Sequence, residues 1–292
     1  MPSGILILDK PSGWTSQDAA ARLRRVFGTR RIGHGGTLDP MATGVLPIFV
    51  GRATRAVEFF EHAEKEYVAT LRLGVLTDTE DITGTVLQTR PVTADRAAVA
   101  GALPQFLGPQ LQTPPMYSAL KVGGRKLYEL ARQGVEVPRQ PRPIEIFELE
   151  LLDGTGPEYR LRVRCSKGTY IRTLCKDLGQ ALGCGGCMAA LRRTRAGLYS
   201  LDQAVPLQTL LDRADRGEDV EKLLLPVDSL FASCPRLDLT PAQAQKCRNG
   251  AAFSAPCSPG RYRLYDAGGG FLALGQGDGS TMRTIKSFFE VN

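Results

Sequence analysis

Apolar and polar positions along this chain follow two periods, and the switches between them outline a protein of mixed helices and strands. Residues 4–8 form an unbroken apolar run and predict a buried strand. Thr15 and Asp18 mark a helix start. Ala19, Leu23, Val26 and Phe27 then recur at helical spacing until Gly28 stops the helix. Residues 44–50 predict a second buried strand and residues 53–63 a helix. Tyr67, Ala69, Leu71 and Leu73 alternate as one face of a strand, and an acidic turn over 77–84 precedes another at 85–88. Thr93 is expected to cap a helix running to about Leu107. Pro114 and Pro115 make residues 112–121 stiff and extended rather than regular. A short helix over 126–132 closes at Gly134, and a basic, proline-broken connection leads into a strand over 144–152. Residues 159–165 alternate strictly: Leu161, Val163 and Cys165 face one way, and Arg160, Arg162 and Arg164 the other. Residues 166–172 turn into a helix. Residues 207–225 read as helical and 226–235 as a linker. Beyond it, Thr240-Pro241 starts a last helix, and short glycine-rich strands follow Asn249-Gly250. No internal repeat is evident.

Composition narrows the class. With 292 residues, the chain holds one large domain and a small one. Lys and Arg number 37 against 30 Asp and Glu, a net charge of +7, which favours a polyanionic partner. Arg22, Arg24, Arg25, Arg30 and Arg31 sit on and just after the first helix with no acid among them, and read as a phosphate-contacting surface. The first ten residues are too short and polar for a signal peptide, and no apolar run is long enough to span a membrane, so a cytoplasmic protein is expected. Seven cysteines in such a chain are expected to be reduced thiols, and the lone Cys184-Gly-Gly-Cys187 lacks further ligands at zinc spacing. No metal is expected.

The chemistry concentrates between residues 33 and 46. Glycines at 33, 35, 36 and 44 suit tight turns or a close approach by another molecule. Pro40 biases Asp39 toward extended backbone. An acid therefore sits on a constrained loop anchored by the buried strand that follows, a common mounting for a catalytic carboxylate. Neither a Walker nor a dinucleotide glycine motif is present. Arg172 falls at a helix start, where a cation gains nothing from the helix dipole. That placement suggests a carboxylate partner, and Asp39 is the candidate.

Gly36-Thr37-Leu38-Asp39-Pro40, with Ala42, Gly44, Val45 and Leu46, resembles the catalytic signature of the bacterial tRNA pseudouridine synthase B family. Lys10-Pro11 and Gly13, the stretch containing Gly124, Tyr128, Ala131 and Arg132, the Gly-Thr-Tyr-Ile-Arg ending at Arg172, and residues 190–197 extend the likeness over roughly 4–230. The resemblance implies an α/β (α+β) fold: a mixed, mostly antiparallel sheet with helices over 1–230, and a small PUA-like β-barrel over 231–292. It implies isomerisation of uridine 55 in the tRNA T loop to pseudouridine, by base flipping and an Asp nucleophile, without a cofactor. Asp39 would be the nucleophile, Arg172 its counter-charge, and Tyr67 the aromatic stacked on the target base and a possible acceptor of the C5 proton. His34 would fill the space left by the flipped base. Asp81 and Tyr170 would lie near the uridine pocket, Leu191 would line it, and Lys10 would support the site. The arginines of 190–197 would meet backbone phosphate. A monomer with no obligatory protein partner is expected. Two rivals stand beside this reading: an RNA-guided relative acting on ribosomal RNA, and a non-catalytic RNA-folding or RNA-binding protein.

Overall fold

A computed structural model describes residues 1–289. The chain opens with β1 (Gly4–Lys10), α1 (Ser16–Val26), β2 (Ile32–His34) and β3 (Thr43–Val50). β1 is buried on both faces: Leu6 and Leu8 pack into one apolar cluster, Ile5 and Ile7 into another. Thr15 caps α1, its hydroxyl accepting from the Asp18 amide at 3.0 Å while the Asp18 carboxylate reaches back to Thr15. Such a cap stabilises a helix by about 1 kcal/mol. The helix expected over 53–63 is instead a 3-10 turn, Gly51–Ala56, leading into the short α2 (Val57–Phe60). The Thr54 hydroxyl donates to the Gly51 carbonyl at 2.8 Å and so competes for an acceptor of the helical ladder.

Next come β4 (Lys65–Leu73), the hairpin β5 (Val75–Thr77) and β6 (Val86–Thr89), and α3 (Arg96–Ala102). Asp95, not Thr93, caps α3, and Pro104 enters a 3-10 turn after Ala102, so this helix is shorter than expected. β7 (Gly108–Gln112) occupies a stretch where no strand was anticipated. The β8 (Lys121–Val122) and β9 (Arg125–Lys126) hairpin leads to α4 (Leu127–Ala131). Then follow β10 (Arg142–Thr155), β11 (Glu158–Cys165), α5 (Ile171–Ala181), β12 (Gly186–Ala196), β13 (Tyr199–Ser200), β14 (Val205–Pro206) and α6 (Leu207–Asp215).

These strands build one sheet in the order β14-β1-β3-β12-β4-β11-β10-β7, with β2 added to β3 and β13 to β12. The β1–β14 and β3–β12 pairs are parallel and the rest antiparallel, giving the mixed, mostly antiparallel sheet expected. Gly44 makes the β3–β12 junction possible. Its φ is 102°, and a Cβ there would lie 2.2 Å from the Arg193 carbonyl oxygen.

The segment read as a linker is packed. A 3-10 turn at Val227–Phe231 buries Phe231 against Phe59, Phe271 and Phe288. The tail forms a separate five-stranded sheet from β15 (Arg236–Asp238), β16 (Phe253–Ser254), β17 (Gly260–Tyr265), β18 (Phe271–Gly277) and β19 (Thr281–Ser287), with α7 (Pro241–Arg248) against it.

Candidate active site

Asp39 lies on the turn between β2 and β3, and several independent bonds hold that turn. The Ala42 amide donates to the Asp39 carbonyl at 3.0 Å, and the Gly13 amide to the Pro40 carbonyl at 2.8 Å. The Leu38 amide donates to the buried Ser16 hydroxyl at 2.8 Å. Lys10, fully buried, donates from Nζ to the carbonyls of Trp14 at 2.7 Å, Pro11 at 2.9 Å and Pro40 at 3.3 Å. Lys10 thus ties the end of β1 to the residue after Asp39, and burial lowers its pKa to about 8.

Arg172 comes to the same place from the first turn of α5. Its Nε lies 3.0 Å from Asp39 Oδ2, and its Nη2 donates to Oδ1 at 3.4 Å. The remaining donors reach the carbonyls of Thr79 at 3.0 Å and Tyr117 at 2.9 Å. The Arg172 side chain is 5% exposed and that of Asp39 is 35% exposed, so the carboxylate opens to the surface while its counter-charge is sealed behind it. Burial raises the pKa of Asp39, and Arg172 and Lys10 oppose that rise. Asp81 adds a repulsive charge from the Arg172 side, its Oδ2 being 3.9 Å from Arg172 Nε.

Asp81 itself is built into its own turn. Its Oδ1 accepts from the Thr83 amide at 2.9 Å and from the hydroxyls of Thr79 at 2.9 Å and Thr83 at 2.6 Å. Beside it, Glu80 adopts φ 63°, and its carboxylate receives Thr173 and Lys176 of α5 at 2.6 and 2.5 Å. The turn and α5 are thereby locked together, which places the Thr79 carbonyl on Arg172.

Tyr67 projects from β4 into the apolar cluster that also holds Leu38, Leu191 and Ile171, and is 8% exposed. Burial pushes its phenol above the ordinary value. Leu191 stands on β12 opposite Ala69. Tyr170 caps α5, and its backbone amide and carbonyl exchange bonds with the Gln112 side chain at 2.8 and 3.1 Å. Gln112, at the end of the unanticipated β7, had no distinguishing signal in the sequence. His34 pairs with Ile48 from β2. Its ring is lowered in pKa by burial and by Arg193, and its buried Nδ1 has no hydrogen-bond partner among the described residues.

Of the arginines of β12, Arg195 is exposed, and the other two are engaged within the protein. Arg192 pairs with Asp9 at 2.8 Å, and Arg193 is fully buried, its Nε donating to the Val45 carbonyl and its Nη2 to that of Gly36. Its neighbours Arg192 and Thr194 did not disclose this, because arginine is ordinarily a surface residue. The arginines of α1, by contrast, are exposed. Cys184 and Cys187 are buried, and Cys187, pushed up to about 11, lies in β12 rather than in a loop. Among the described residues no group of three or more His, Cys, Asp or Glu could hold a metal, and no helix is long and apolar enough to cross a membrane.

Residues 24–171 match the family model for the N-terminal domain of TruB family pseudouridylate synthases, and residues 172–232 that for the C-terminal domain of tRNA pseudouridylate synthase B. A tRNA pseudouridine synthase B from Aromatoleum aromaticum is 47% identical over 278 residues, covering 95% of this chain and 89% of that protein. Another from Stutzerimonas stutzeri is 47% identical over 278 residues, covering 94% and 91%. Among solved structures, one of a Cbf5–Nop10–Gar1 complex superposes with a TM-score of 0.73 at 26% identity, covering 98% of this chain and 85% of that one.

Proposed function

Because the chain belongs to the TruB family of pseudouridylate synthases, we propose that it isomerises uridine 55 in the T loop of tRNA to pseudouridine, with Asp39 as nucleophile and without a cofactor. The observation that carries this reading is the Asp39–Arg172 pair, a partly open carboxylate gripped from behind by a buried guanidinium.

The reaction breaks the C1′–N1 bond and joins C1′ to C5 of the same uracil. The proton on C5 is lost and N1 gains one, so no net oxidation or reduction occurs. Asp39 can attack C1′, add to C6, or take the C2′ proton toward a glycal, and each route requires its ionised form. Arg172 keeps that form accessible and fixes both oxygens. The Tyr67 ring supplies a face for the detached base. Its raised pKa keeps the phenol neutral at pH 7, which supports stacking over a role as resident base. Leu191, Asp81 and Tyr170 complete the uridine pocket. The base must leave its stack to reach Asp39, and the uncharged His34 ring fills the gap. The exposed arginines of α1 take backbone phosphate. The tail, over 231–292, acts as a PUA-like RNA-binding domain beside a catalytic domain over 1–230. The protein works as a cytoplasmic monomer.

Unmodified tRNA transcript, incubated with purified protein and no other macromolecule, tests this by positional mapping of pseudouridine. Wild type is expected to yield pseudouridine at position 55. Asp39→Asn is expected to yield none, while tRNA affinity stays within about a few-fold, since the nucleophile has little share in binding. Residual activity above about a tenth of wild type would remove Asp39 from the role. Modification only upon adding a guide RNA would favour the RNA-guided reading, and refolding of tRNA without product the non-catalytic one.

A further inference from the structure

Two buried cations underlie the turn that leads to Asp39. Arg193 is 1% exposed, and its Nη2 donates to the Gly36 carbonyl at 3.1 Å. Lys65, at the start of β4, is 8% exposed. A Cβ built on Gly36 would stand 3.5 Å from Arg193 Nη1 and 3.8 Å from Lys65 Cε, so both side chains reach the same glycine. Lys65 Nζ carries three donors, and among the described residues it makes one hydrogen bond, to the Glu61 carbonyl, long at 3.4 Å. No carboxylate pairs with either cation among the described residues. Burial, with Arg193 as a like charge beside it, lowers the pKa of Lys65 to about 8, which leaves it mostly protonated at pH 7. Charge held out of water without a counter-charge is costly.

The turn above them is open. Gly36 and Thr37 are exposed, and their amides make no hydrogen bond among the described residues. Gly36 has a φ of 85°, the left-handed conformation that lets successive amides converge on an anion. The Arg193 bond to the Gly36 carbonyl polarises the peptide group whose N–H is that of Thr37, which makes that N–H a stronger donor. Free amides and uncompensated positive charge thus meet at one exposed turn, the make-up of an anion site. His62 adjoins Glu61, and Lys167 Nζ lies 3.3 Å from its Nε2, which brings a further exposed cation to the same corner. Asp39 follows Gly36 by three residues, at most about 11 Å of chain, so an anion seated here is a near neighbour of whatever meets the carboxylate. We propose that Gly36, Thr37 and Lys65 form a binding site for one backbone phosphate of the RNA, next to the nucleotide presented to Asp39, with Arg193 as fixed charge behind it. The counter-charge that the free protein lacks is then delivered by the substrate. The exposed arginines of α1 attract the backbone at large, whereas this site takes a single phosphate in register with the target. The inference rests on the function proposed above for its choice of RNA as the source of the anion.

The test uses the full chain and synthetic T-arm stem-loops in which one phosphate at a time, through the loop, is replaced by an uncharged methylphosphonate. Affinity is measured in the Asp39→Asn background, so that turnover does not enter, with and without Lys65→Met. At one position beside the target uridine, neutralising the phosphate is expected to weaken binding by about tenfold when Lys65 is present. The same neutralisation is expected to cost less than about threefold in Lys65→Met, because the partner charge is already gone. Equal losses in the two proteins at every position would overturn the proposal, and would leave Lys65 as a support for the turn alone. Lys65→Met is also expected to reduce the slope of log affinity against log salt by about 0.7, the value for one contact to single-stranded RNA. An unchanged slope would overturn the proposal as well. Should Lys65→Met not fold, Thr37 is replaced by its α-hydroxy acid, which removes the amide donor and keeps the side chain. That change is expected to weaken binding of the all-phosphate RNA by about threefold or more and to leave binding of the matching methylphosphonate RNA unchanged. Equal effects on both RNAs would overturn the proposal. If wild type makes no pseudouridine, the function fails, while these outcomes, read from binding, still decide the phosphate site.

Discussion

Asp39 is useful only when ionised, and its neighbours pull in both directions. Burial and Asp81 raise its pKa, whereas Arg172 and Lys10 lower it, and the net direction is upward. Activity is therefore expected to fall, as pH is lowered, at a value above the ordinary carboxylate range of about 4. Lys10→Met removes one of the charges that favour ionisation, so the acid limb of its kcat profile should lie at still higher pH. Above pH about 8 Lys10 has given up its own proton in the wild type, and the two profiles should converge there. Arg172→Lys keeps the charge but not the fork that grips two carboxylate oxygens and two carbonyls. It should lower kcat by about a hundredfold in single-turnover assays while RNA affinity stays within about a few-fold. A normal turnover would mean that another cation serves Asp39. At this scale the sequence was legible where chemistry is written in rare residue types. Asp39 before Pro40 and Arg172 at a helix start both stood out, and the structure brings them to 3.0 Å. Arg193 and Gln112 did not stand out, because their roles come from burial and register, which no local pattern encodes.

Among the elements, α1 was readable in full: capping box, apolar stripe and stop at Gly28 all follow from local spacing. Its arginine face remains exposed, and replacing Arg22, Arg24 and Arg25 together by Ala should weaken tRNA binding. Each lost phosphate contact should reduce the slope of log affinity against log salt by about 0.9, as measured by filter binding across a salt series. An unchanged slope would turn this helix away from the RNA. Elements whose limits depend on tertiary partners were misjudged. β7 is short and alternates half-buried and exposed residues before the buried Gln112, and it exists because it pairs with β10 from Arg142↔Gln112 to Ile146↔Gly108. The turn at Glu80 takes a left-handed conformation that its residue type does not announce. It is held there by Thr173 and Lys176, more than ninety residues away in sequence.

On the scale of the whole molecule, the boundary after residue 230 proposed above runs through an aromatic cluster. Phe231 meets Phe59 at 5.3 Å and Phe288 at 5.8 Å between ring centroids, and Arg55 and Glu58 reach Ser287 and Lys286 of β19. Deleting 236–292 should leave a chain that still modifies an isolated T arm. Its melting temperature should fall by roughly 5–10 °C, because two or three buried aromatic contacts become exposed. An unchanged transition in calorimetry would mean the cluster contributes nothing. The mixed sheet and the small tail sheet were both foreseeable from periodicity and family likeness. The packed junction was not, since Pro226 and Pro235 made it look like a tether. β1 bears on how the chain is made. Among the described residues, its outer edge is covered only by β14, through Leu8↔Val205 and Asp9↔Pro206, and by the bridge from Ile5 to Leu225. At ribosomal rates those partners emerge roughly 10 to 40 s after β1. For that interval an apolar strand travels with one edge open, a template for chaperones or for neighbouring nascent chains. A translational pause before Val205 lengthens the exposure, and one after Leu225 does not.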